Sequence, residues 1–154
     1  MPNEFNEVIF ETKFWIVELG YKQAYLGRSV IILKREVLHL SDLTEKEALD
    51  FFRVIRRLEM ACTKGFGATM FNSMCLMNGN YKQEIPKKFM HWHFVPRYKP
   101  SIKFHEVNCE DLEFGTKFNW EKVFGSELEK INQTKDFSPE FRQKIIKQIK
   151  RYLA

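Results

Sequence analysis

Hydrophobic positions along the chain change period several times, and each change marks an element. FWIVEL at residues 14 to 19 and RSVIILK at 28 to 34 are short runs rich in β-branched and aromatic residues, and they predict two strands. The segment GYKQAYLG between them contains Gly20 and Gly27 and reads as the connection of a hairpin. The period then lengthens. Ala48, Phe51, Phe52, Ile55 and Leu58 recur at helical spacing behind Thr44 and Glu47, the two halves of a capping box. A helix capped by Thr44 therefore presents one apolar stripe to a core, and the glycines of KGFG are expected to end it near Thr63. ATMFNSMCLMN at 68 to 78 and FMHWHFVPRY at 89 to 98 predict two more strands, joined by the polar, basic stretch GNYKQEIPKK. After Pro100 the pattern weakens, and VNCEDLEFGTKFNWEKVFGSELEK is ambiguous. Ser138 and Pro139 then open a last helix whose apolar side carries Phe141, Ile145, Ile146, Ile149, Tyr152 and Leu153. Its other side carries Arg142, Lys144, Lys147, Lys150 and Arg151 and reads as a solvated face. The order strand, strand, helix, strand, strand predicts one α+β domain with an antiparallel sheet and a helix across one face.

Composition narrows the class. Hydrophobic residues make up 44% of the 154 and aromatics 15%, with fifteen Phe, which excludes disorder as a description of the whole chain. The three cysteines, Cys62, Cys75 and Cys109, are widely spaced and odd in number, so they read as reduced thiols of a cytoplasmic protein. The first ten residues are acidic and lack an apolar run, so no secretory signal is expected there. No segment approaches the roughly 20 apolar residues of a membrane span, and no membrane partner is expected. The net charge of +5 favours polyanions such as nucleotides, phosphates or RNA, although many small basic proteins have no such partner.

The chemistry concentrates in KKFMHWHFVPRY, residues 87 to 98, where two of the four histidines stand one residue apart. Alternate residues of a strand share a face, so Phe89, His91, His93 and Val95 point one way and Met90, Trp92 and Phe94 point the other, toward the helix. Three readings are open on these residues alone. The pair can be incidental, one histidine on the surface and one satisfied in the interior. It can supply two ligands to zinc, but His39, His105 and the lone cysteines have no ligand spacing to complete the set. Or it can serve phosphate chemistry. A neutral imidazole is a good nucleophile toward phosphorus near pH 7, and a second imidazole can hold a phosphate oxygen as charge builds. Lys82, Lys87, Lys88 and Arg97 make this rim attractive to a polyanion.

With these residues in view, the chain resembles the histidine triad (HIT) superfamily of nucleotide hydrolases and transferases. The signature is His-x-His-x-His followed by two apolar residues and often Pro-Arg, and FMHWHFVPR places Phe89, His91 and His93 at its three positions. YLGRSVIILKREVLHLSDLTEKEALDFF is similar to the family stretch in which a strand leads through a loop to the capped helix. LMNGNYKQ is similar to the segment before the triad, and VIFETKFWIVEL to the opening hairpin. The likeness covers roughly residues 8 to 98. The remainder, about 99 to 154, is expected to be a C-terminal extension, and its tail from about 119 looks like an extension found in some prokaryotic members.

The resemblance implies a sheet of about five strands, the capped helix across it and a C-terminal helix. It implies a nucleotide hydrolase or nucleotidyl transferase acting on the α-phosphate of a dinucleoside polyphosphate, or of a nucleoside phosphate ester or phosphoramidate, through a nucleotidyl-histidine. His91 would be the nucleophile and His93 a phosphate contact. Asn78 and Gln83 would hold phosphate oxygens, and Glu18 is the nearest candidate for the ribose hydroxyls. An adenine nucleotide is the expected substrate, a homodimer the expected assembly, and no cofactor or metal is implied. Phe89 departs from the pattern because a phenyl ring cannot hydrogen bond, though its backbone carbonyl can still fix the tautomer of His91. Arg28 and Glu36 stand where the family usually has histidine. The stretch from Gln83 to Phe89 is two residues longer than usual, with Lys87 and Lys88 as the insertion. Phe89 and the basic surface also support a different outcome, a nucleotide- or RNA-binding module without turnover, with RNA the less favoured partner.

Overall fold

Five antiparallel strands form the main sheet: β1 (Val8–Glu11), β2 (Trp15–Leu19), β3 (Ser29–Leu33), β4 (Met70–Met74) and β5 (His91–Arg97), in the order β1-β2-β3-β5-β4. The computed structural model describes residues 7–132 and 134–154, so most of the acidic N-terminal stretch lies outside the described residues. Helix α1 (Glu45–Phe66) crosses one face of the sheet, and a short helix α2 (Asn78–Tyr81) follows β4. The ambiguous region after Pro100 is a two-stranded hairpin, β6 (Ile102–Phe104) and β7 (Val107–Cys109), then α3 (Trp120–Phe124) and α4 (Glu127–Asn132). Helix α5 (Pro139–Arg151) closes the chain.

Helix α1 starts where the sequence places it. Thr44 Oγ1 accepts from the Glu47 N–H at 3.2 Å, and Glu47 accepts from the Thr44 N–H at 2.8 Å. Arg35 adds a fork, donating to both Glu47 carboxylate oxygens at 2.9 Å. That hydrogen bond is the largest of the causes that lower the Glu47 carboxyl to about 2. The helix runs past Thr63 to Phe66. The two glycines of KGFG divide the work. Gly65 stays helical, and a Cβ there would lie 3.3 Å from Gln148 of α5, so it permits close packing of the two helices. Gly67, at φ 80°, takes the left-handed conformation that ends the helix. The strand expected over 68 to 78 is likewise shorter. It stops at Met74, and Met77 at φ 55° turns the chain into α2.

The core lies between α1 and the sheet. Trp15, Val17 and Leu19 of β2, Ile31 of β3 and Phe94 of β5 are fully buried there with Val54, Leu58 and Ala61 of α1. Phe51 packs against Trp92 with ring centroids 4.6 Å apart and the planes tilted by 44°. The alternation along β5 is thus as the sequence predicts, with Trp92 and Phe94 toward the helix. Helix α5 buries Phe141, Ile145, Ile146 and Ile149, capped by Ser138. One residue of its basic face corrects the expectation. Arg142 is 1% exposed and donates to both Glu7 carboxylate oxygens and to the carbonyls of Gly20, Tyr21 and Asp136. A buried guanidinium needs a full set of acceptors, and the turn after β2 supplies three-dimensional neighbours that no helical wheel contains. Lys144, Lys147, Lys150 and Arg151 are exposed, as expected of that face. All three cysteines are free thiols. No helix among the described residues is long and apolar enough to cross a membrane.

Candidate active site

Strand register decides which face carries the histidines. Glu18 pairs with Val30, Val30 with His93, and His93 with Met74; Ile16 pairs with Ile32, and Ile32 with His91. Directly paired residues point to the same side of an antiparallel sheet. His91 and His93 therefore stand on the face opposite α1. The loop between α2 and β5 rises on one side of them and α3 and α4 on the other. The space enclosed is a cavity of about 350 Å³, and Arg28, Val30, His91 and His93 line its sheet side. Asn80, Gln83, Lys87 and Phe89 line the loop side, and Phe124, Glu129 and Lys130 the C-terminal side. The volume lies within the range of ordinary small-ligand pockets.

The two imidazoles are held in opposite tautomers. His91 Nδ1 lies 3.1 Å from the Phe89 carbonyl oxygen. A carbonyl only accepts, so Nδ1 carries the proton and the lone pair of the neutral ring sits on Nε2. His93 Nδ1 lies 3.2 Å from Arg28 Nη2. A guanidinium only donates, so here Nδ1 holds the lone pair and Nε2 carries the proton. One ring thus offers a nucleophilic nitrogen and its neighbour, 5.1 Å away between centroids and at right angles, offers a donor. The Phe89 carbonyl is itself fixed by Asn80, whose Nδ2 donates to it at 3.0 Å and to the Lys87 carbonyl at 2.9 Å.

Electrostatics keep both rings neutral. Burial lowers the pKa of His91 below the ordinary 6.5; the bond to Phe89 opposes this and the charge of Arg28 adds to it. His93, 9% exposed, is pushed well below 6.5 by burial first and then by Arg28 and His91. Arg28 is buried, and that burial lowers it to about 10, so it remains a cation at neutral pH. Its guanidinium lies over the Phe124 ring, 5.7 Å from the centroid, and its Nε has no partner. Lys22, at the cavity edge, is neutralised by Glu129 at 2.6 Å and Asp136 at 3.3 Å. Among the described residues no group of three or more His, Cys, Asp or Glu is placed to hold a metal ion.

The residues singled out in the sequence meet only in part. His91, His93 and Gln83 share the cavity. Asn78 is exposed at the start of α2 and is not part of its lining, whereas Asn80, two residues on, is. Glu18 is 3% exposed on the histidine face, two strands from His93, and does not line the cavity either. One carboxylate oxygen of Glu18 has no partner, and burial foremost raises its pKa to about 7. Arg97 is not part of a basic rim. It is 0% exposed, bridges Asp111 at 2.7 Å and donates to Asn72 and to the carbonyls of Glu113 and Thr116. Asn80, Arg28 and Phe124 were not identifiable as site residues from periodicity. The sequence signals were a second asparagine two residues after Asn78 and the arginine standing where a histidine was expected.

Comparison with known proteins agrees with this architecture. No protein-family model matches the chain. It is 27% identical over 108 residues to a bis(5'-nucleosyl)-tetraphosphatase (asymmetrical) of Schizosaccharomyces pombe, covering 70% of this chain and 58% of that one. It is 26% identical over 116 residues to a bis(5'-adenosyl)-triphosphatase of Saccharomyces cerevisiae, covering 75% and 52%. The chain thus spans little more than half the length of the curated relatives it matches. Among solved structures, the C. elegans NitFhit protein superposes with a TM-score of 0.51 at 25% identity, over 60% of this chain and 22% of that one. A histidine triad protein of Sinorhizobium meliloti superposes with a TM-score of 0.67 at 14% identity, over 96% and 89%. Sheet order, capped helix, signature strand and these likenesses together make the chain similar to proteins of the histidine triad superfamily.

Proposed function

We propose that the chain is a nucleotide hydrolase or nucleotidyl transferase that attacks the α-phosphate of a dinucleoside polyphosphate, with an adenine nucleotide as the preferred half. The names of the curated relatives supply the substrate class. The observation that carries the chemistry is the Nδ1–H of His91 held on the Phe89 carbonyl, which leaves Nε2 as a lone pair in the cavity wall. In the first step Nε2 bonds to the α-phosphorus, and the bond from phosphorus to the bridging oxygen of the leaving nucleotide breaks. The ring becomes cationic as it attacks, and the Phe89 carbonyl dipole stabilises that charge. In the second step water adds to the same phosphorus, the phosphorus–nitrogen bond breaks, and a nucleoside monophosphate and neutral His91 are regenerated, one proton passing to solvent. His93 Nε2–H, Gln83 and Lys87 hold phosphate oxygens through charge-assisted hydrogen bonds.

Rapid mixing with diadenosine tetraphosphate, followed by intact-mass measurement under alkaline quench, tests this. Wild type should gain one adenylyl group and His91→Ala none. Turnover without an adduct, or an adduct in His91→Ala, would overturn the assignment. Phe89 favours a second reading, a nucleotide-binding module with little turnover, because the side chain at this position cannot pass a proton. Tight AMP binding with no turnover on dinucleoside tri- and tetraphosphates, and turnover gained in Phe89→His, would select that reading. Homodimer formation is part of the proposal. Its surface is the apolar groove of about 600 Å³ beside edge strand β4, where Phe52 is 69% exposed. Sedimentation equilibrium should give a dimer that Phe52→Glu dissociates; a monomeric wild type would remove the claim.

A further inference from the structure

Among the described residues Arg28 is a buried cation with no carboxylate at ion-pair distance, and Asp136 acts on it only from farther away. Its hydrogen bond goes to His93 Nδ1 at 3.2 Å, its Nε has no partner, and Phe124 covers its flat face. The chain makes room for it at some cost in backbone freedom. A Cβ at Gly20 would stand 2.1 Å from Arg28 Nη1, so the residue facing Arg28 across the β2–β3 hairpin has no side chain. A guanidinium fully withdrawn from water normally finds a carboxylate, as Arg97 does in Asp111 and Arg142 in Glu7. Arg28 lines the cavity instead.

We propose that Arg28 is a positioning and anion-selecting residue of the site: it locks His93 in the Nε2–H tautomer and supplies, from beside that ring, the positive charge that a bound phosphate completes. The anion's identity rests on the function proposed above; the tautomer does not. The bond to Arg28 is what fixes the position of the His93 proton. The titratable and charged groups around that ring are Arg28 just before β3 and His91 on β5, with Lys22, Lys87, Glu129 and Lys130 at the cavity margin. With Arg28 present, His93 enters the reaction as a neutral donor that needs no titration, and the same charge adds to the burial that disfavours protonation of His91.

Long-range nitrogen–proton correlation spectra of the histidine rings in the whole chain read this directly. Wild type should show His93 as the neutral Nε2–H tautomer from pH 5.5 to 8. Arg28→Met, which keeps the volume and removes charge and donors, should show His93 as a mixture of its two neutral tautomers. Its AMP affinity should fall roughly 10- to 100-fold, the worth of a hydrogen bond to a charged group. Gly20→Ala leaves the arginine in the chain but displaces its head group, and should shift the His93 signals in the same direction. It also serves if Arg28→Met does not fold. His93 in the Nδ1–H form in wild type, or unchanged signals in the variants, would overturn the proposal. If wild type does not bind AMP, the function proposed above fails, and the ring spectra alone still decide the role of Arg28.

Discussion

Asn80 is the residue through which stability and site geometry can be perturbed together. Its amide nitrogen bridges the carbonyls of Lys87 and Phe89 at 2.9 and 3.0 Å, closing the loop that leads into β5. Asn80→Ala removes two hydrogen bonds, each worth about 1 kcal/mol net. The two carbonyls differ in what they lose. That of Lys87 belongs to an exposed residue and can be rehydrated, and that of Phe89 keeps the His91 N–H as a second donor. Neither is left orphaned, so the expected loss is about 1 to 2 kcal/mol. For a chain of this size that lowers the melting temperature by roughly 3 to 6 °C. Asn80→Asp should cost more than Asn80→Ala, because a carboxylate donates nothing and would face two carbonyl oxygens at hydrogen-bond distance. Urea and thermal unfolding give the ranking, wild type above Ala above Asp. The rate of nucleotidyl-enzyme formation should fall in the same order as the Phe89 carbonyl loses its fixed position. Equal stability of Asn80→Asp and wild type would mean that the amide does not donate to these carbonyls, and the account of how His91 is oriented would fall with it.

Further outcomes follow from the buried charges. Asp111→Ala leaves Arg97 buried without its counter-ion and should cost about 3 to 5 kcal/mol in urea unfolding; a loss below about 1 kcal/mol would show that the carbonyls of Glu113 and Thr116 suffice. Glu18 has a folded-state pKa of about 7, above its ordinary 4.5, so the folded chain binds the extra proton and stability declines as pH rises through that interval. Glu18→Gln should therefore melt above wild type at pH 8 and level with it at pH 4.5, and a gap independent of pH would refute the desolvation of this carboxyl. His91 lies below 6.5, chiefly through burial, so the acid limb of adduct formation should fall below the titration of a free imidazole; a limb at or above 6.5 would place the ring in a solvated setting. Replacing Glu47 with Ala removes both the cap and the Arg35 fork and should destabilise the chain by about 1 to 2 kcal/mol, measured by urea unfolding. An effect confined to a few tenths would mean that the fork is loose in solution.

Much of the fold is legible in residue order. Local rules suffice for the strand over FWIVEL, for the Thr44–Glu47 box and for the Ser138–Pro139 start, because each depends on neighbours within a few residues. The alternation along KKFMHWHFVPRY also puts Trp92 and Phe94 on one face and the histidines on the other without reference to any partner strand. The misplaced boundaries, at Thr63 and at residues 75 to 78, lie where a glycine or a left-handed methionine had two available roles and packing against another element selected one.

The sequence by itself determined the α+β order, the capped helix and a pair of imidazoles on one strand face, because hydrophobic period and capping are properties of the chain in one dimension. Only the tertiary structure decided which nitrogen of each ring carries the proton, that Asn80 rather than Asn78 lines the cavity, that Arg97 and Arg142 are interior struts, and that Arg28 lies against His93. Those outcomes depend on which donor meets which acceptor across residues far apart in the chain, and in a dry interior the meeting, more than the residue type, determines charge state and direction.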